Sequence, residues 1–524
     1  MAAAEAETGT DFELRHSSIG LADVLFQAIT YMAPGVGLAF SIGIAVPISG
    51  ATLPLSVLVA LAACTFCAAA IGQLAKHIPS AGGLYTYAAR GIGPKTGFLA
   101  GWFYVAFGIF LPGSLLSLGG WFVNGFMDRE TGFAPGWWFW GLIFAGIILA
   151  LTFFDVRMSA KATVILGAIE IIVFFALGAY MVLTESNSSA PFTPSEGVNG
   201  WAGIFQGAVF AILAFIGFEA ASALGEEAKN PRRTVPLGVI GSCVLVGLFY
   251  VFMTYAWNVG AHLDITGHNT ASANSDWDAF GNEYWGTAGA WLLFFALVNS
   301  VIACGTAATN NAARVFFAMG RTGNAPSYLG RVHPKYKSPY LSVVTVLGTT
   351  GAMAYLLAFY FGDILGPGTD GLVGFIVEAT LFTVIAILIY IISCIACIGY
   401  FSKDGRAARN PFLHIVVPVI GVIAFILPLY TQYFNLAALF DGNPFTWAYK
   451  NEAGGNVYFD KAFPATWAIM GALVWVVVGV ILALYLGATR PETLARATQA
   501  FGGEIEDDDS DNPDPHAHSM SMTH

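Results

Sequence analysis

The sequence predicts an all-α membrane protein with twelve membrane-spanning helices. Three observations lead there. Hydrophobic residues make up 56% of the 524 positions and charged residues only 10%, with a mean hydropathy of +0.67, far from the make-up of a soluble domain. Mostly apolar stretches of 18 or more residues, the length that crosses a bilayer, recur along the whole chain. Two of them are interrupted by glycine at matching places, roughly 180 residues apart.

Taken in order, the stretches fall at about 20–46, 53–78, 97–127, 136–154, 160–184, 202–226, 235–261, 287–319, 341–361, 371–400, 413–435 and 465–488. The first is interrupted at Ala33, Pro34, Gly35, Val36 and Gly37, the sixth at Phe215, Ile216, Gly217, Phe218 and Glu219. Proline brings no N–H and glycine tolerates non-helical backbone, so the helical ladder opens at both places. At membrane depth, freed backbone groups are tolerated only against protein or a wet cavity. Paired interruptions in two halves of one chain therefore point to a substrate site near the midplane. Freed N–H groups at Gly35, Val36 and Gly37, at a helix start, suit a carboxylate. Freed carbonyls around Phe215 and Ile216 suit an ammonium, and the pair matches the backbone of an α-amino acid.

No loop is long enough for a separate globular domain, so the chain reads as one polytopic domain with short tails. Of the 22 lysines and arginines, nineteen fall in segments that are cytoplasmic when the amino terminus is inside; only Arg129, Lys450 and Lys461 fall outside. That asymmetry orients the chain and favours an even number of spans, with both termini cytoplasmic. The acidic start (Glu5, Glu7, Asp11, Glu13) does not suit a cleavable signal peptide, so the first helix is expected to target the membrane. The run Glu504 to Asp509 reads as a solvated acidic tail and supplies part of the net charge of −11. All six cysteines lie within apolar segments, so disulfides are not expected. Cys64/Cys67 and Cys394/Cys397 have a zinc-like spacing but no nearby histidine, and read as small residues at helix contacts. No cofactor and no metal site is expected.

Three blocks carry a family likeness. The first runs from Gln73 to Tyr87 (QLAKHIPSAGGLYTY) and from Gly93 to Trp102 (GPKTGFLAGW). The second is Phe215 to Glu219 (FIGFE) followed by Glu226 to Pro236 (EEAKNPRRTVP). The third runs from Arg314 to Pro326 (RVFFAMGRTGNAP). Together they resemble the amino acid–polyamine–organocation transporters, and bacterial amino acid permeases in particular. The likeness covers about residues 17–435. It implies a LeuT-like fold of two inverted five-helix repeats with helices 1 and 6 broken, plus two further helices, and transport by alternating access. The organisation expected is a cytoplasmic tail (1–18), a transport core (19–400, with repeats at about 19–184 and 201–400), two additional helices (401–489) and a cytoplasmic acidic tail (490–524).

The resemblance also implies roles. An aromatic at the sixth helix often lies against the substrate, so Phe215 or Phe218 is a gate candidate, and Phe215 suits a cation–π contact with an amine. Glu170 stands where many members carry a lysine thought to replace a bound sodium. Glu219 resembles a position linked to substrate-triggered movement. Tyr104 and Asn310 are candidate polar contacts to the pocket. The run Glu226, Glu227, Lys229, Arg232 and Arg233 is either a solvated face or part of an inner gate.

Carboxyl groups at membrane depth are costly and are functional candidates by default. Glu170 lies about ten residues from the cytoplasmic end of its helix, near the midplane, and is the candidate proton site. Glu378, about seven residues into helix ten, is a candidate for the outer vestibule.

The function expected is secondary active transport of amino acids across the plasma (inner) membrane of a prokaryote. The partners are the substrate, a driving proton or counter-substrate, and the lipid bilayer; no nucleic acid is implied. Nothing resembles a nucleotide-binding loop. The alternative substrate is a polyamine such as putrescine, or another organic amine, imported or exchanged. A diamine has no carboxylate for the Gly35–Gly37 amides and needs carboxylates such as Glu219 or Glu378 instead. An enzyme would need clustered catalytic groups, whereas His77, His262, His268, His333 and His414 are scattered over both sides. A channel filter motif is absent from the sequence.

Overall fold

The computed structural model describes residues 19–492, except 81, 154–155, 199, 226, 263–276, 322, 324, 337, 363–367, 434–447, 451–455 and 459–463. The two tails and Glu226 lie outside the described residues, apart from 490–492. The helices are α1 (Leu21–Ala45), α2 (Gly50–His77), α3 (Pro94–Thr131), α4 (Trp137–Phe153), α5 (Val156–Thr184), α6 (Gly200–Leu224), α7 (Pro231–Gly260), α8 (Trp277–Arg321), α9 (Tyr340–Phe361), α10 (Asp370–Ser402), α11 (Val417–Tyr433) and α12 (Pro464–Thr489).

Ten helices among the described residues are long and apolar enough to cross a membrane. Two shorter apolar helices, α4 and the stretch Phe412–Leu427 that opens into α11, lie at the other expected places. α8 starts ten residues earlier than the apolar run suggested. Asp278 and Glu283 interrupt the hydropathy there, and the backbone kinks at Gly286, where φ is 68°. A short antiparallel pair, β1 (Ala448–Lys450) and β2 (Asn456–Tyr458), precedes α12.

α2 packs along α7 and against α6; α3 contacts α4, α8, α9 and α10. Lipid-level packing depends on van der Waals contact, so small residues mark the closest approaches. At Gly91, in the short helix Gly83–Gly91, a Cβ would fall 2.2 Å from the Ala396 carbonyl oxygen of α10. Trp102 of α3 and Trp475 of α12 stack at 4.6 Å, and each indole N–H donates to the other's backbone carbonyl. The outer faces of α5, α9 and α12 expose Ile172, Leu356, Phe359, Val474, Val477 and Ile481, as a lipid-facing belt does.

Candidate functional site

Both interrupted stretches depart from the helix where the sequence reading put them. In α1 the regular helix ends at Met32, and Ala33 adopts left-handed backbone with φ 48°. Pro34 has no N–H to donate. The Val36 N–H turns instead to the Ser300 hydroxyl of α8 at 3.1 Å. The ladder resumes at Gly37, whose N–H donates to the Ala33 carbonyl at 2.7 Å, and continues as a π-turn over Gly37–Ser41. In α6 the regular helix ends at Phe215. Gly217 takes φ 130°, a value L-residues rarely reach, and a 3-10 turn follows over Phe218–Leu224.

The two breaks touch. A Cβ at Gly217 would lie 2.4 Å from Tyr31 Cδ1 and 2.8 Å from the Met32 nitrogen. Tyr250 of α7 fastens them: its hydroxyl lies 3.3 Å from the Met32 carbonyl of one break and 3.1 Å from the Ala214 carbonyl of the other. Gly37 leaves room for it, since a Cβ there would fall 2.2 Å from that hydroxyl. Tyr250→Phe removes the one donor shared by both breaks. It is expected to lower stability by about 1 kcal/mol, read as a drop in the melting temperature of the purified protein, and to slow uptake.

Acids flank the breaks. Glu219 Oε2 accepts the Gly217 N–H at 2.9 Å and the Tyr390 hydroxyl of α10 at 2.8 Å, so this carboxylate closes the end of the broken helix. Glu170 of α5 is fully buried beside the Gly35 amide and Ser300, and neither of its oxygens makes a hydrogen bond of normal geometry. It therefore stands against the first amides of the half of α1 that follows the break, where the helix dipole favours negative charge. Neither α1 nor α6 carries a lysine, arginine or histidine. Beyond Cys304, the first basic residue of α8 is Arg314, ten residues and about 15 Å further along. It is held in a two-point pair with Glu227, at 2.5 and 3.4 Å. Glu227 lies beside the segment where Ile19 and Ala228 form a backbone bridge.

The other candidates sit as follows. Phe215 is buried edge-on against Tyr250, with centroids 5.6 Å apart, and Phe218 lies against Tyr390 at 5.1 Å. Ile216 is buried at the turn, and Tyr104 of α3 is buried within electrostatic reach of Glu219. Asn310 is half-buried; its neighbour Asn311 is buried and pairs with the Tyr31 side chain. Glu378 is away from the breaks, sealed between α3, α9 and α10. An apolar cavity lies beside the breaks, lined among others by Ile44, Leu213, Ile376, Thr380 and Leu429. Sequence reasoning missed Tyr250, Ser300, Cys304, Asn311 and Tyr390 as parts of the site. Cys304 donates its thiol to the Tyr31 carbonyl at 3.1 Å.

Helices that cross a membrane and break opposite one another, with polar groups buried at the breaks, define a solute carrier. The comparisons agree. The chain belongs to the amino acid permease family, whose sequence model matches residues 19–453, within the amino acid–polyamine–organocation superfamily. It is a multi-pass membrane transporter and not an enzyme. It is 27% identical over 433 residues to the low-affinity putrescine importer of Escherichia coli (strain K12), covering 78% of this chain and 87% of that one. It is 28% identical over 347 residues to a branched-chain amino acid permease of Bacillus subtilis (strain 168), covering 61% and 70%. A glutamate/serine transporter of the same organism is 24% identical over 349 residues, covering 62% and 63%.

Proposed function

We propose that the protein is a proton-driven secondary carrier of amino acids in the plasma membrane, working by alternating access, with both termini cytoplasmic. The position of Glu170 carries this reading. A substrate carboxylate seeking the amides at Gly35 and Val36 meets a protein carboxyl already there. A proton on Glu170 removes the repulsion and leaves that end of the helix to the substrate, while carbonyls of the second break take the ammonium. Substrate and proton then travel together.

The inverted repeat, about 19–184 and 201–400 with two helices added over 401–489, has support in the packing. Exchanging each helix with the one five places on maps α1 against α7 onto α6 against α2, and α3 against α10 onto α8 against α5. The lysine and arginine distribution supports the orientation.

A second reading, import or exchange of a diamine, is favoured by one observation: two carboxyls flank the breaks while α1 and α6 carry no basic residue. The similarity to a putrescine importer points the same way. Here Glu170 stays charged and holds an ammonium directly.

Reconstituted protein carrying Glu170→Gln separates the two. Under the leading reading, uptake by the unaltered protein rises as external pH falls. The variant then loses accumulation driven by a pH gradient and keeps substrate exchange. Under the second reading, the variant loses competition by putrescine by about tenfold or more, the scale of one lost charge-assisted contact. Unchanged proton dependence together with unchanged putrescine competition would end both roles for Glu170.

A further inference from the structure

A second buried carboxyl lies apart from the breaks. Glu378 of α10 has no exposed surface, and neither of its oxygens has a hydrogen-bond partner among the described residues. Gly113 of α3 makes the room it occupies. A Cβ on Gly113 would fall 2.8 Å from Glu378 Oε1, from the Thr350 carbonyl oxygen and from Thr350 Oγ1 of α9. Three oxygens thus converge on one face of α3. The Thr350 hydroxyl proton is already committed to the Ile109 carbonyl, at 2.5 Å. Pro112, inside α3 beside this seam, removes one N–H from the ladder and makes that turn easier to deform.

Among the described residues no counter-charge faces the seam. α9, α11 and α12 contain no Asp, Glu, Lys, Arg or His, and neither does the regular part of α6. On α3, Lys95, Asp128, Arg129 and Glu130 are fifteen or more residues from Gly113, over about 22 Å away. On α10, Asp370 lies eight residues off, about 12 Å, and accepts the Trp137 indole N–H at 2.5 Å. The Tyr355 hydroxyl is engaged with the Trp138 carbonyl, and that of Tyr390 with Glu219; Tyr104 of α3 lies nine residues from Gly113. Lys76, His77, Arg90, Arg406 and His414 belong to elements that pack against α10 around Tyr400, more than twenty residues from Glu378. An ionised carboxylate here would lack any compensating group among the described residues.

We propose that Glu378 is a proton-binding site, and that its proton exchanges only when α10 parts from α3 and α9. The same helix reaches the second break: Tyr390, twelve residues or about 18 Å along α10, holds Glu219. Rearrangement at that break thereby moves the wall of the seam. This last step rests on the carrier reading; the proton on Glu378 does not.

Infrared spectra of the full-length protein in liposomes, taken in H2O and D2O, test it. A protonated buried carboxyl gives a carbonyl band separate from the carboxylate bands, and D2O shifts it. Glu378→Gln is expected to remove one such band, slow to exchange in the unaltered protein and distinct from any band lost in Glu170→Gln. Thr350→Val keeps the acid and should move the band without removing it, which guards against a Gln variant that fails to fold. In transport, Glu378→Gln should cut gradient-driven accumulation about tenfold or more, within the usual scale of site-to-site coupling, and spare exchange. An unchanged spectrum in Glu378→Gln would overturn the site. A lost band with unchanged accumulation would overturn its gating by transport. If no substrate is carried at all, the carrier reading fails while the infrared result still decides for or against Glu378.

Discussion

Gly217→Ala should abolish uptake. Two independent costs fall on that one methyl group. The backbone at φ 130° is rarely open to an L-residue, and holding one there costs on the order of 1–3 kcal/mol. The new Cβ would also lie 2.4 Å from Tyr31 Cδ1 and 2.8 Å from the Met32 nitrogen. A side chain could turn aside, but a backbone nitrogen at the other break cannot move without moving α1. The breaks must therefore separate, and the Tyr250 hydroxyl can no longer lie between their carbonyls. Uptake per molecule at matched expression should fall at least about a hundredfold, corresponding to nearly 3 kcal/mol. Near-normal uptake would mean that contact between the breaks does not matter.

Glu219→Ala has the next largest expected effect. One carboxylate oxygen satisfies two buried donors, the Gly217 N–H and the Tyr390 hydroxyl. Truncation leaves both without an acceptor in a buried site, at about 1–3 kcal/mol each. The 3-10 turn from Phe218 to Leu224 loses its fastening, and α10 loses this polar link to α6. Tyr390→Phe removes only the second bond and should cost about 1 kcal/mol. Adding Tyr390→Phe to Glu219→Ala should cost little more or even recover stability, because the orphaned hydroxyl is gone. Melting temperatures of the four proteins give this cycle directly. Strict additivity would show that the carboxylate and the hydroxyl do not act together.

The helices were legible in the sequence because the bilayer requires long apolar runs, and the breaks because Pro34 and Gly217 are local signals. α4 and the opening of α11 are shorter apolar helices in the structure than the runs 136–154 and 413–435 read from the sequence. The partners of the breaks were not legible. Ser300, Cys304, Tyr250 and Tyr390 are ordinary residues in apolar runs, and only packing between distant segments brings them to Val36, Tyr31, Met32 and Glu219. Rotation about a helix is equally hard to read. Asn310 and Asn311 differ by about 100° of turn, and it is Asn311 that is buried beside Tyr31. For Glu378 the depth was readable but the face was not, since the deciding neighbours are an absent side chain at Gly113 and a threonine on α9.

The central claim is that substrate enters between the two breaks, and Cys304 is a native reporter there, its thiol on the Tyr31 carbonyl. The measurement is alkylation of the six cysteines, site by site, with and without the amine or amino acid that the protein accumulates in liposomes. The account predicts that substrate slows labelling of Cys304 and leaves Cys394 and Cys397 unaffected. Equal labelling of Cys304 in both conditions, at substrate concentrations that saturate uptake, would contradict it.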